Sequence, residues 1–526
     1  MVSNKTDAEA PAIKEEIPHD HLFKVTGLSS SSLEKLAQEP EADFEVAIAA
    51  TGYGRFNVAL MLCTLPAFWS AVSVTSSVSY IFTRAQCDMQ LSLLDMGTVN
   101  AITYGGMISS AMLWGFLSDT LGRRQILAWG FFCSGVVEIA AAMSQSFTML
   151  LITRFASGFL FNGPFAVLIS YIAELHRTEL RARVILLTSL FYTIANTTLP
   201  LLAWAMLTND WDFYLFSGTF VIHSWNLFLL ATALVPLLTG LAFICLPESP
   251  KFLMSRGRNT EAMEVFRKIY SMNTGNSKES YPVTRLVQER SQQQGRGVDA
   301  LKGGCAQLAP LFKPPHGAWL LLMCLIHMGC MFGSNTLRLW YPQLAAMSGS
   351  DVNGTLCSAI APVAASTENS CTPLQTDMLT YLQSAMVGAG SVLTYSIGGV
   401  LVNRCGKKLV AGFCGLVSAV IIVMLPFLGT GAFAVVAMVT TALSFTALCG
   451  ASLSSINVDL FPTSLRVMAM ATFLMSGRLG TITGTVIFPA LIDYGCLPPF
   501  ITIATVLAVC GFGCFLVPNT TLKKLE

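Results

Sequence analysis

The chain has 526 residues, of which 53% are hydrophobic and only 12% are charged. Soluble proteins usually carry about 25% charged residues, so this composition excludes a soluble enzyme, a nucleic-acid binder and a disordered scaffold. The formal net charge of +1 leaves no overall field that would attract a polyanionic partner.

A polar, charged segment begins the chain, and residues 1–50 are predicted to be a disordered cytoplasmic tail without the apolar core of a signal peptide. Twelve apolar segments follow, each of about the 20 residues that a helix needs to cross a hydrocarbon core. The first six predicted spans are 56–81, 97–117, 125–144, 148–173, 184–207 and 228–246. The second six are 318–341, 378–402, 409–428, 431–457, 467–491 and 497–517.

These spans predict five regions in the chain. The tail is followed by a first six-helix half at 51–246, a cytoplasmic linker at 247–316 and a second half at 317–517. Residues 518–526 form a second cytoplasmic tail. Within the linker, the stretch from Glu261 to Tyr270 has the pattern of a short amphipathic helix.

The basic residues predict the orientation of the spans. With both termini in the cytoplasm, 27 of the 31 Lys and Arg residues fall on the cytoplasmic side. Because Lys and Arg resist translocation, this asymmetry favours an even number of spans with cytoplasmic termini.

Two sequence patterns each occur twice and reveal an internal repeat. Glycines and charged residues between spans 2 and 3 recur between spans 8 and 9, where Gly115 and Gly399 are 284 residues apart. An acid followed by Arg seven residues later occurs after span 4 and after span 10, with Glu174 and Asp459 285 residues apart. Two independent patterns with nearly one offset predict two parallel six-helix repeats.

The first pattern, Gly115-x-x-x-Asp119-x-x-Gly122-Arg123-Arg124, resembles the loop signature of the major facilitator superfamily. The segment from Pro247 to Leu253 resembles the end of the sixth helix in sugar porters and organic-ion transporters, and Arg154-x-x-x-Gly158 with Tyr171-x-x-Glu174 resembles their fourth-helix pattern. More narrowly, Gly52 to Phe56 and His223 to Trp225 resemble the synaptic vesicle glycoprotein 2 branch and its insect relatives. This resemblance implies an all-α membrane protein of twelve helices that works by alternating access.

The resemblance also implies a gating cluster on the cytoplasmic side, which latches the outward-facing state. Its expected members are Gly115, Asp119, Gly122, Arg123, Arg124, Glu174, Arg181, Asn403, Lys407, Asp459 and Arg466. The alternative is that Arg123 and Arg124 only anchor the topology.

Few ionisable residues lie inside the spans, and each is a functional candidate because charge is costly in a bilayer. Glu138 is expected to make a structural hydrogen bond, with ion coupling as the alternative. Arg154 is expected to reach toward the membrane surface. Arg338 lies near an outer helix end. The guanidinium of Arg478 must find an acceptor or point into the cavity.

By the same resemblance, polar and aromatic residues of several spans are expected to line a central substrate cavity. The candidates are Trp69, Ser73, Tyr192, Asn196, Trp204, Asn335, Tyr395, Asn457 and Arg478. Aromatic walls with a few amides suit an amphipathic organic solute, and a cation could lie over a ring face.

Acids expected from the branch are absent here, since Ala71, Val74 and Ser454 stand in their positions. Transport of a small organic solute is therefore expected to be facilitative or only weakly coupled to an ion. The alternative is a transporter-like glycoprotein that no longer transports and acts as a vesicle or membrane receptor or trafficking factor. No enzyme, cofactor, metal or nucleic-acid signature is found, and a monomer in the plasma membrane or a vesicle membrane is expected.

The outer loops predict two modifications. Asn353 begins an acceptor sequence for glycosylation. Four cysteines face the oxidising side, at Cys87, Cys357, Cys371 and Cys496, and they permit three pairings. The pair of Cys357 with Cys371 is the most local in sequence.

Overall fold

The computed structural model describes residues 41–215, 220–288, 309–348, 355–357, 378–427 and 432–518. The first 40 residues of the expected disordered tail, the glycosylation candidate Asn353 and the cysteine Cys371 lie outside the described residues.

Twelve long helices are present where the sequence predicts the spans. In the first half they are Arg55–Asp88, Leu93–Leu121, Arg123–Ala142, Phe147–Glu174, Thr178–Leu207 and Ser224–Ile244. In the second half they are His316–Ser348, Met378–Cys405, Lys407–Met424, Ala432–Leu460, Thr463–Ile492 and Leu497–Cys514. These helices are called spans 1 to 12 from here on.

Ten of the twelve are long and apolar enough to cross a membrane by length and composition. The ten do not include Leu93–Leu121 and Met378–Cys405, which are the second helix of each half. The two helices hold equivalent places in the repeat.

Glycines end span 2 and span 8 in the same way. Gly122 has φ of +98° and Gly406 has φ of +86°, a backbone region that glycine adopts without the steric cost of a Cβ. Each glycine directly precedes the next span, so the chain reverses within one residue at both places. The repeat predicted from the motifs thus extends to backbone conformation.

The two halves pack in equivalent ways. Span 3 packs on span 6 and span 2 on span 4, while span 9 packs on span 12 and span 8 on span 10. Between the halves, span 2 packs on span 11 and span 5 packs on span 8. The face of the bundle that carries residues 247–288 is called the linker side, and the opposite face is called the far side.

Buried apolar residues are distributed unequally between the two sides. One cluster on the far side joins both halves, with members such as Phe82, Trp225, Trp340 and Phe488. Toward the linker side, one separate cluster consists almost entirely of first-half residues and another belongs to the second half. Among the described residues, the core that the halves share therefore lies mainly on the far side.

A small helical layer covers the linker side. It contains the helices Phe44–Ala50, Pro250–Ser255 and Asn259–Thr274 and the 3-10 turn Lys278–Ser280 around a core that includes Phe266. The predicted amphipathic helix of the linker is thus present and longer than expected. Residues 44–50 are helical and buried against this layer, so the expectation of disorder up to residue 50 is wrong for that segment.

Two shorter elements complete the described chain. The strands Phe213–Leu215 and Phe220–Ile222 pair antiparallel between spans 5 and 6 on the far side. A 3-10 turn, Ala309–Phe312, precedes span 7.

The expected Cys357–Cys371 disulfide is wrong. Cys357 is bonded to Cys496, with their Cα atoms 5.4 Å apart and a separation of 139 positions in sequence. Cys87 is also disulfide-bonded. Because span 7 packs on span 12, the segment after span 7 comes close to the segment before span 12. Proximity in sequence therefore did not predict proximity in space.

Candidate functional site

The seam between the two halves is closed on the far side. Gly97, near the far end of span 2, packs so tightly on span 11 that a Cβ there would lie 2.5 Å from the carbonyl oxygen of Thr485. At the second interface between the halves, where span 8 packs on span 5, a Cβ on Gly388 would lie 2.8 Å from the backbone of Asn196. Both seam contacts need a residue without a side chain.

On the linker side, a cavity of about 240 Å³ lies between spans 2, 4 and 11. It extends from Arg123, the first residue of span 3, to Arg478, at the middle of span 11. Trp114 and Asn162 also contribute to its walls. The described residues thus enclose a cavity between the halves on the linker side and pack tightly on the far side.

A guanidinium lies in the seam between the cavity and the far side. Arg338 of span 7 donates hydrogen bonds to the hydroxyl of Tyr192 in span 5, at 3.1 Å, and to the hydroxyl of Tyr104 in span 2, at 3.4 Å. Arg478 donates to the carbonyl oxygen of Met107, at 3.3 Å, one turn from Tyr104. Two arginines of the second half therefore contact the same turn of span 2.

The other expected cavity residues are mostly engaged in contacts within one half. The Trp69 indole donates to Thr198 at 3.0 Å, and the Asn335 amide donates to Thr481 at 2.8 Å. The Ser73 hydroxyl and the Asn196 amide donate to carbonyl oxygens of their own helices. These contacts fix the side chains of the cavity walls.

Trp204 packs against the far-side core, and Asn457 is buried with its side-chain oxygen lacking a hydrogen-bond partner. The side chain of Tyr395 lies outside the described part of the chain. Only Tyr192 and Arg478 of the expected set are brought to the arginine contacts at the seam.

Sequence reasoning missed Tyr104 as a site residue and placed Arg338 only near a helix end. A side chain in a helix is tilted toward the helix N-terminus, which for span 7 points to the linker side. The guanidinium therefore lies closer to the middle of the bundle than its position in the sequence suggests. The direction of side chains in span 7 is the signal that could have identified Arg338 as a site residue.

The loop between spans 2 and 3 is held by Glu248. Its carboxylate accepts hydrogen bonds from the backbone N–H groups of Arg123 at 2.9 Å, Arg124 at 3.0 Å and Ser249 at 2.9 Å. A carboxylate at a helix N-terminus satisfies unpaired N–H groups and faces the positive end of the helix dipole. A Cβ on Gly122 would lie 2.5 Å from this carboxylate. The glycine of the motif therefore makes room for the acid that caps span 3.

Two ion pairs occupy equivalent places in the repeat. In the first half, the Arg123 guanidinium lies 3.7 Å from the Glu174 carboxylate and 5.1 Å from the ring centre of Phe252. In the second half, the Lys407 amine lies 2.5 Å from the Asp459 carboxylate. Each pair ties the short loop before a third helix to the end of a fourth helix.

Arg181 does not join the Arg123–Glu174 pair. Its two terminal nitrogens each lie 2.9 Å from the carboxylate of Glu45, in the helix Phe44–Ala50. Burial alone would raise the pKa of Glu45, but hydrogen bonds from Thr178 and Arg181 and the charges of Arg181 and Lys251 hold that pKa below its ordinary value. Arg181 thus anchors the N-terminal helix to span 5.

The remaining candidates of the gating cluster make fewer described contacts. Arg466 has a buried Nε without a hydrogen-bond partner, and the side chains of Asp119 and Asn403 lie outside the described part of the chain.

Arg154 does not reach toward the membrane surface. Its side chain is 0% exposed and pairs at 3.1 Å with Glu138, which is 3% exposed. Glu138 also accepts a hydrogen bond from Ser157, so it makes the structural hydrogen bond expected of it. The two charges lie on antiparallel neighbours joined by a short turn, so their similar depth was readable from the sequence.

Comparisons with known proteins agree with the family resemblance read from the sequence and with the fold described above. The family described as "Sugar (and other) transporter" matches residues 56–336. Synaptic vesicle glycoprotein 2A of Rattus norvegicus is 27% identical over 331 residues, which are 59% of this chain and 44% of that protein. Synaptic vesicle glycoprotein 2C of Mus musculus is 29% identical over 241 residues, or 46% and 32% of the two chains. The chain thus spans less than half the length of these curated relatives.

Solved structures are similar across most of the chain. The xylose transporter XylE from E. coli, in a partially occluded inward-open conformation, has a TM-score of 0.63 at 15% identity and covers 89% of this chain and 100% of its own. The nucleoside transporter NupG has a TM-score of 0.57 at 14% identity, covering 88% and 98%. The predicted major facilitator fold of twelve helices is confirmed.

Proposed function

We propose, on the premise that this chain belongs to the sugar (and other) transporter family, that it carries a small organic solute across a membrane by alternating access. The observation that carries the proposal is the unequal seam, with one shared core on the far side and a cavity between the halves on the linker side. Alternating access requires two halves that separate on one side while they meet on the other.

The distribution of basic residues supports a cytoplasmic linker side, and the state described here is then inward-facing. In the outward-facing state the far-side contacts of Gly97 and Gly388 would open, and the linker side would close over the cavity. Since Glu248 caps span 3 and Arg123 pairs with Glu174, the first half would move as one body with the linker. Lys407 and Asp459 would hold the second half in the same way.

The proposal further assigns the Arg123 loop to the gate. Its charged groups border the cavity mouth, where span 11 of the second half would approach in the outward-facing state. Transport is proposed to be facilitative, because the spans have alanine, valine and serine at Ala71, Val74 and Ser454, where an ion-coupled relative would need carboxylates.

The test is solute uptake into proteoliposomes together with distances between spin labels. One label pair, at Leu94 and Tyr494, reports the far side, and a second pair, at Leu121 and Leu409, reports the linker side; all four residues are exposed. The exposed free cysteines Cys133, Cys245 and Cys405 are first replaced by serine. A transported solute is expected to lengthen the far-side distance in part of the population and to shorten the linker-side distance in the same part.

Empty vesicles and the Asp119→Asn variant serve as controls for uptake. If no member of a broad panel of sugars, organic anions and organic cations enters faster than into empty vesicles, and no member changes either distance, the transport proposal is wrong. The receptor alternative would then account for a transporter fold with a fixed seam.

A further inference from the structure

Within the described part of the chain, no carboxylate pairs with the positive charge of Arg338 at the seam between the halves. Its terminal nitrogens bind the hydroxyls of Tyr192 and Tyr104, and Tyr80 of span 1 is a further electrostatic neighbour. Its Nε is buried without a hydrogen-bond partner. A phenol hydroxyl carries no formal charge, so these contacts orient the guanidinium without neutralising it.

Arg478 adds a second positive charge on the same route. Its one hydrogen bond among the described residues is to a backbone carbonyl oxygen, that of Met107, and it lines the linker-side cavity. Tyr104 lies within electrostatic reach of both Arg338 and Arg478. A solute that entered from the linker side would pass Arg478 before it reached Arg338.

Among the described side chains, the buried acid of span 3 does not balance these charges. Glu138 is already paired with Arg154 inside the first half. The positions of Ala71, Val74 and Ser454 supply none. Burying a charge is costly unless it is paired, so two uncompensated arginines at a transporter's central seam indicate a ligand that brings the opposite charge.

We infer that the solute is an organic anion, whose acid group binds Arg338. This inference rests on the proposed transport function and names its substrate class. The planar guanidinium can hold a carboxylate through two parallel N–H···O bonds, and the hydroxyls of Tyr104 and Tyr192 can turn to donate to the same oxygens. The aromatic residues alone had allowed a cationic solute bound over a ring face. The two arginines favour a solute with an acid group instead.

The positions of the two arginines also define a path for an anion that enters from the linker side. Arg478 lies at the inner end of the cavity, where it would attract an anion from the linker side and pass it to Arg338 at the seam. Because Arg338 belongs to the second half and its tyrosines to the first, an anion bound there contacts both halves. Its binding therefore favours closure of the halves around it.

The experiment uses two series of probes that differ mainly in charge. One series is phenylacetate, phenylacetamide and phenethylamine, and the other is indole-3-acetate, indole-3-acetamide and tryptamine. Uptake into proteoliposomes and thermal stabilisation of the purified full chain are measured for each compound. The anion of each series is expected to be taken up and to raise the melting temperature, while its neutral and cationic counterparts do neither.

Variants then locate the charge that selects the anion. Arg338→Gln and Arg478→Gln are each expected to weaken anion binding at least tenfold, and Arg338→Lys is expected to retain part of it. Arg84→Gln is the matched control, since it removes the same charge from an ion pair with the exposed Asp210 at the far surface. The control is expected to bind and carry anions as the original chain does.

Charge selectivity of the unaltered chain decides the inference even if an Arg338 variant does not fold. Uptake of the neutral or cationic probes without preference for the anions overturns the anion inference and leaves the transport proposal standing. Anion uptake that is equal in folded Arg338→Gln, Arg478→Gln and Arg84→Gln also overturns it. Failure of all six probes and of the broad solute panel overturns both.

Discussion

Arg154 and Glu138 form a buried ion pair between spans 3 and 4. Their closest atoms are 3.1 Å apart, and neither side chain is more than 3% exposed. The Nε and one terminal nitrogen of Arg154 have no hydrogen-bond partner, so the pair is incompletely satisfied. Such a pair is kept because each charge requires the other, even where two apolar residues could fill the space.

Removing one member of this pair is therefore expected to cost more than removing both. Arg154→Met or Glu138→Gln alone should lower the free energy of unfolding by about 3–5 kcal/mol, since each leaves a buried charge unpaired. The double variant should recover most of that loss. Thermal unfolding of the three variants in one detergent provides the comparison, and equal losses in the single and double variants would contradict the explanation.

At the scale of single elements, the helix Phe44–Ala50 depends on charge for its position. Its Glu45 pairs with Arg181, and the Tyr281 hydroxyl donates to the carbonyl oxygen of Ala47 at 2.6 Å. Burial raises the pKa of Tyr281. The neutral phenol of Tyr281 therefore helps to hold the helix in place, and Glu45 holds it as an anion.

Acid is expected to release this helix. Because the folded-state pKa of Glu45 is lowered, its contribution is fully present above the ordinary value of 4.5 and is lost as the pH falls through the lower folded-state pKa. Spin labels at the exposed Val46 and Met272 should show longer and broader distances as the pH falls below 4.5. Glu45→Gln should remove the pH dependence of that distance, and an unchanged response in this variant would point to another group.

The loop disulfide connects elements that are distant in sequence. Non-reducing peptide mapping is expected to recover Cys357 linked to Cys496. Cys357→Ser should reduce the free energy of unfolding by about 2–4 kcal/mol, because the bond closes a long loop in the unfolded chain. Cys133→Ser, which removes an exposed free thiol, is the control and should leave thermal unfolding unchanged. Recovery of Cys357 bound to a different cysteine would contradict the pairing.

At the scale of the whole molecule, the far-side seam should control the balance between the two states. Gly97→Leu places a side chain against the backbone of span 11, while Gly105→Leu, in the same helix, has no atom within 4 Å of its Cβ position. A clash of about 1–3 kcal/mol would disfavour the sealed state by roughly 5- to 160-fold. The Leu94 and Tyr494 label distance should then lengthen without solute in Gly97→Leu.

The Gly105→Leu variant should keep the original distance. Solute uptake should fall in Gly97→Leu, because a transporter that rarely seals its far side rarely opens its linker side. Equal distances and equal uptake in the two variants would mean that the seam at Gly97 does not govern the conformational balance.

The sequence by itself determined the twelve spans, the two halves and the pairing of equivalent loops. Hydrocarbon thickness sets the length of an apolar helix, and that signal is local to each segment. The motif offsets also showed that the pair of Lys407 and Asp459 corresponds to the pair of Arg123 and Glu174, because a repeated sequence repeats its contacts.

Only the tertiary structure decided which distant residues meet. The partner of Cys357, the attachment of Arg181 to Glu45 and the placement of Arg338 among tyrosines all depend on how non-adjacent helices pack. Hydropathy carries no information on the direction in which a polar side chain points around a buried helix. The few charges within the spans were visible from the sequence, as was the similar depth of Arg154 and Glu138. Packing determined that these two pair, while no described acid pairs with Arg338.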